Sequence, residues 1–160
     1  MTIGPASTTH GDASVPFVEL SQTLPSCIDA ISPAVEELMR FVADFGNANS
    51  TMPDVEIALR EALANAIVHG NREDPQKHVF LTCRCMTDGA VSISVQDEGS
   101  GFDIDSVPDP TAPENRLRST GRGICLMKAL MDEVHFEQRG AVVHMRKNAG
   151  AGSAAVRRAG

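Results

Sequence analysis

The 160-residue sequence has no tryptophan and no tyrosine, and aromatic residues make up only 4% of it. Stacking platforms for single-stranded nucleic acid are therefore scarce. Positive charge is short as well. Its 14 Lys and Arg face 21 Asp and Glu, a formal net charge of −7. General nucleic-acid or anionic-membrane binders need a basic face, so neither kind of partner is expected. A phosphate ligand stays open, because backbone N–H groups or a metal can hold one locally. No apolar run approaches the ~20 residues of a membrane span. The polar opening MTIGPASTTHGDAS has no secretory apolar core. The four cysteines, Cys27, Cys83, Cys85 and Cys125, include no CxxC pair. Cys83 and Cys85 fall on one face of a strand and read as small core residues. His78 lies nearby, but a zinc site needs a fourth ligand that the sequence does not offer. Reduced thiols and a cytoplasmic location are expected.

At this length one domain is expected, large enough to bury a sizeable core. Residues 1–14 and the Gly/Ala-rich stretch 148–160 read as flexible tails around a folded unit at 15–147. Val15 to Leu24 can form a first strand. A helix is expected to end at Phe45, with its regular part starting near Ser32 and Pro33 at its first position. Val35, Leu38, Met39, Val42 and Phe45 recur at helical spacing, and Gly46 is a natural stop. Thr51 and Asp54 have the spacing of a capping box before a second helix that ends at Gly70. Val55, Leu59, Ala62, Leu63, Ala66 and Ile67 form its apolar stripe. His78–Met86 and Ala90–Asp97 read as strands of a hairpin turning at Asp88-Gly89. Residues 103–120 carry three prolines and little periodicity, as functional or mobile loops do. A third helix opens at Gly121, with a stripe of Ile124, Met127, Leu130, Met131 and Val134. Two last strands turn at Arg139-Gly140. The order predicts an α/β (α+β) two-layer sandwich: a mixed, mostly antiparallel sheet with helices on one face.

Three stretches carry chemistry-bearing residues. On the second helix, Glu61 and Asn65 are one turn apart and point the same way. An amide oxygen suits a hard cation such as Mg²⁺, and a carboxylate can deprotonate or orient an attacking hydroxyl. A solvated helix edge is the plainer alternative. His69 reads as a helix-end residue. The second stretch is DEGSGFD, Asp97 to Asp103. Asp97 ends a half-buried strand, where a carboxylate is costly without donors. Gly99 and Gly101 permit positive φ or close approach to the backbone, so a tight turn and a ligand cradle both fit. The third is STGRGICLMKAL, where Gly121 and Gly123 open a helix whose free N–H groups suit an anion. Neither a Walker A loop nor a Rossmann fingerprint is present.

Taken in order, E-x-x-x-N on a helix, D-x-G-x-G-F after a strand, a lid-like loop and G-R-G-I opening a helix resemble the Bergerat-fold ATPases. That superfamily includes gyrase, histidine kinases and MutL. Within it, EALANAIVHGN resembles the corresponding helix of the anti-sigma-factor serine/threonine-protein kinases. The resemblance covers about residues 15–147 and implies the Bergerat ATP-binding fold. It implies ATP and Mg²⁺ as cofactors, with Asn65 at the metal and Glu61 as general base. Asp97 would accept from the adenine amino group, beside Gly99, Gly101 and Phe102. Gly121, Arg122, Gly123 and Ile124 would close on the phosphates, with Arg116 and Arg118 in the loop as weaker candidates. The sequence departs from the family pattern at Ala64 and at Gly140-Ala141-Val142, where Thr is frequent. The implied function is transcription regulation by an anti-sigma factor. Such a protein sequesters a sigma factor and phosphorylates an anti-sigma-factor antagonist on Ser or Thr, as a homodimer. The alternative is a nucleotide-binding module that only sequesters its partner.

Overall fold

The computed structural model describes residues 15–46, 52–101 and 122–150. Among these, the elements are β1 (Phe17–Pro25), α1 (Ile31–Phe45), α2 (Met52–Ala64), β2 (His78–Met86), β3 (Val91–Asp97), α3 (Arg122–Leu130), β4 (Glu133–Glu137) and β5 (Val142–Lys147). A short 3₁₀ turn at Ile28–Ala30 leads into α1, and a π-helical turn, Asn65–Gly70, continues α2. The five strands form one sheet in the order β1-β2-β3-β5-β4. Every pairing in it is antiparallel.

The register explains the two-layer arrangement. One row of paired residues runs Leu20, Cys83, Ile93, Met145, Val134 across all five strands. The next residue along each strand faces the other way, giving the row Ser21, Thr82, Ser94, His144, His135. The first row joins the core and the second faces solvent. The helices cover only the apolar face, with α2 packed between α1 and α3. Leu38, Leu59, Leu63, Ile67, Leu81, Ile93, Met127 and Met145 are fully buried where the layers meet.

The expected stripes hold with local shifts. All six stripe residues of the second helix are buried. In α1, Phe41 takes the core position expected of Phe45, which is exposed and lies against it with ring centroids 5.2 Å apart. Four-residue spacing places both rings on one flank of the helix. Pro33 is the third residue of α1, not its first. It is tolerated there because the N–H groups of a first turn have no intrahelical partner. Val134 belongs to β4, because α3 ends at Leu130. Cys83 and Cys85 are core residues facing the same side. Their thiols hydrogen-bond to each other, which, with burial, pushes Cys83 well above the ordinary thiol range.

Candidate functional site

The second helix does not remain α-helical to its end. At Asn65 it widens into a π-helical turn, and the Asn71 N–H donates to Ala66 O at 2.8 Å. Such widened turns often occur at functional sites. Glu61 and Asn65 keep their one-turn spacing because the widening starts at Asn65. Both are partly buried, whereas His69, farther along the widened turn, is exposed.

The first turn of α3 lies directly over this pair. A Cβ on Gly123 would sit 2.6 Å from Glu61 Oε2 and 3.3 Å from Asn65 Nδ2. Gly123 is therefore small because the helix start must approach a carboxylate and an amide. Ile124 is buried in the core, and Arg122 is exposed beside them. Gly121, Phe102, Arg116, Arg118 and Thr51, for which a capping role is expected, lie outside the described residues.

A narrow cleft of about 20 Å³ lies between Asn65 and Asp97. Ala62, Ala66, Val95, Met127, Phe136, Ala141 and Val143 form its apolar walls. Small side chains at Ala62, Ala66, Gly140 and Ala141 leave this space open between the layers. Asp97 follows Val91, Ile93 and Val95 on the core-facing side of β3 and is 6% exposed. Its backbone N–H donates to Ala141 O at 2.9 Å, and its Oδ1 accepts from the Gly99 N–H at 2.7 Å. Burial pushes the Asp97 carboxyl above its usual range, opposed by the Gly99 N–H and by the charge of Lys77.

The glycines after Asp97 have reasons within the protein to lack side chains. A Cβ on Gly99 would collide with Gly70 O, and one on Gly70 would collide with the Asp97 carboxylate. Gly101 has φ +76°, and a Cβ there would lie 2.5 Å from Arg139 O. The stretch from Asp97 to Gly101 is thus a backbone crossing that carries a cleft-lining carboxylate.

One participant was not anticipated. Asn71 is fully buried. Its Nδ2 donates to His78 O, and its Oδ1 accepts from the Glu98 N–H, both at 2.8 Å. The position directly after a helix-ending glycine reads as ordinary loop, so only the three-dimensional pairing reveals it.

A two-layer sandwich with an acid-lined cleft between its second helix and the end of its third strand defines a class, the Bergerat-type ATPase domains. Comparison with known proteins agrees. Residues 24–147 match the histidine kinase-like ATPase domain. An anti-sigma F factor of Geobacillus thermodenitrificans is 35% identical over 115 residues, covering 68% of this chain and 77% of that protein. One from Heyndrickxia coagulans is 32% identical over the same length and shares of each chain. In fold, the chain resembles the crystal structure of the RsbU and RsbW domains of Rv1364c from Mycobacterium tuberculosis. The TM-score is 0.57 at 22% identity, with 82% of this chain and 32% of that one covered. The chain belongs to the histidine kinase-like ATPase domain family, in its anti-sigma-factor kinase branch. No helix among the described residues is long and apolar enough to cross a membrane.

Proposed function

We propose that the protein is a cytoplasmic, ATP-dependent protein-serine/threonine kinase and anti-sigma factor. It transfers the γ-phosphoryl of ATP to a Ser or Thr hydroxyl of an anti-sigma-factor antagonist and sequesters a sigma factor. The observation that carries this is a cleft lined by Asp97 and Asn65, with the Glu61 carboxylate one turn before Asn65 under the start of α3. The names of the relatives support the partners. The family resemblance further points to a homodimer.

The roles follow from the chemistry of each place. The apolar walls suit a purine ring, and ionised Asp97 accepts a hydrogen bond from its amino group. Asn65 and Glu61 offer hard oxygen donors, and the described residues contain no cluster of three or more metal-ligating side chains. That set fits Mg²⁺, which is commonly bound through one or two protein oxygens, substrate phosphates and water. Asn65 would hold Mg²⁺, which would supply charge neutralisation at the phosphates. Glu61 takes the proton of the attacking hydroxyl as its oxygen bonds to the γ-phosphorus. The bond from that phosphorus to the β–γ bridging oxygen breaks, and ADP leaves. N–H groups at the start of α3 suit the phosphates, and the family resemblance assigns Gly121, Arg122 and Gly123 to them. The family resemblance adds Phe102 for the base and Arg118 for the phosphates to the proposed set.

Phosphoryl transfer from γ-labelled ATP to antagonist domains encoded near the gene tests the reading. Labelled Ser or Thr is expected, reduced about 10²–10⁴-fold in Glu61→Ala while ATP still binds. If ATP binds but no antagonist is ever labelled, the kinase reading fails and sequestration alone remains.

A further inference from the structure

The register of β2 and β3 pairs Val79 with Asp97, so His78 and Glu98 are the next residues opposite each other. Their main chains do not continue the ladder directly. The Asn71 amide stands between them, donating to His78 O and accepting from the Glu98 N–H. A side-chain amide takes the place of a peptide unit and holds the two strands apart just beyond Asp97. The His78 N–H turns instead to Glu98 Oε2 at 2.6 Å.

This wedge has a consequence at the cleft. With Glu98 held on Asn71, the chain bends so that Gly99 crosses close over Gly70 O. There the Gly99 N–H points back to Asp97 Oδ1. Asn71 is itself fixed, since its own N–H closes the π-helical turn on Ala66 O and its carbonyl accepts from the Asp74 N–H at 3.2 Å. The path from Asn71 to the Asp97 carboxylate contains two hydrogen bonds and one glycine contact.

We propose that Asn71 is a positioning residue of the base pocket. Its buried amide sets the bend at Glu98-Gly99 that orients the Asp97 carboxylate towards the cleft. The inference rests on the reading of Asp97 as the acceptor for the adenine amino group.

The test compares two probes, ATP and purine riboside triphosphate, which lacks the 6-amino group. Their affinities are measured by calorimetry on the full chain with Mg²⁺. A hydrogen bond to a charged group gives wild type a preference for ATP of about tenfold or more. In Asn71→Ala that preference drops several-fold towards parity, while the affinity for purine riboside triphosphate stays within about twofold. Asp97→Asn abolishes the preference, and adding Asn71→Ala to it causes no further loss. A folded Asn71→Ala protein that keeps the preference, or weakens both probes equally, overturns the proposal. Should Asn71→Ala not fold, Asn71→Ser is measured in the same way. Wild type supplies an independent reading: the Asn71 side-chain NH₂ resonance is expected to shift more on saturation with ATP than with purine riboside triphosphate. Equal shifts contradict the proposal. A wild type without any preference for ATP removes the Asp97 reading itself, a failure distinct from loss of the Asn71 effect alone.

Discussion

Asp97 carries its charge on a strand face otherwise occupied by Val91, Ile93 and Val95. Burial raises its pKa above the unfolded value. The sign then follows from linkage. The folded state binds this proton more tightly, so ionised Asp97 costs folding stability near neutral pH. That cost fades as pH falls through the raised pKa. Asn at this position keeps an acceptor for the Gly99 N–H and removes the charge. Asp97→Asn without ligand is therefore expected to melt at or above the wild-type temperature in a thermal scan. In the proposed role of Asp97, adenine recognition runs the opposite way, since it would need the carboxylate. ATP affinity measured against pH is expected to fall with acidification at values above the ordinary Asp pKa of ~3.9. Gly123 makes a similar point for Glu61. A methyl group there meets Glu61 Oε2, the free end of a flexible side chain. Gly123→Ala is expected to displace Glu61 and slow phosphoryl transfer by about 10²-fold. Single-turnover kinetics check this, with ATP affinity changed far less.

Lys147 ties three elements together. Its ammonium donates to Leu130 O at the end of α3 at 2.6 Å and lies 3.2 Å from Asp54 in the first turn of α2. A cation at a helix C-terminus also complements the helix dipole. Lys147→Met is expected to lower unfolding stability by about 1–3 kcal/mol in denaturant titration, mostly through the lost charged hydrogen bond. The element plan was legible in the sequence because its signals are local. The Asp88-Gly89 turn, the alternation of Val91, Ile93 and Val95, and the α2 stripe each act within a few residues. The convergence of Glu61, Asn65 and Asp97 was legible through motif order and family resemblance, since spacing within a helix says nothing about what packs over it. Three features were not legible. The π-helical turn ends at Gly70, which lies against the Asp97 carboxylate. The Asn71 wedge depends on the strand register. The need for glycine at position 99 depends on the Gly70 carbonyl crossing it. All three are contacts between segments distant in sequence. Gly99→Ala meets backbone that cannot easily yield, and is expected to destabilise by about 1–3 kcal/mol.

For the whole molecule, the helices cover one face of the sheet and the cleft opens between the two layers. A ligand seated there touches α2, β3, α3 and β5 together, so binding adds to global stability. At a ligand level 100-fold above Kd the gain is about 2.7 kcal/mol. For a chain of this size that corresponds to a rise in Tm of roughly 5–10 °C. The most direct test of the central claim, one cleft holding Mg·ATP between Asp97 and the Glu61–Asn65 pair, is calorimetric titration of Mg·ATP into wild type, Asp97→Asn and Glu61→Ala. Binding is expected in wild type, weakening by about tenfold or more in Asp97→Asn, and retention in Glu61→Ala. Undiminished binding in Asp97→Asn would contradict the account.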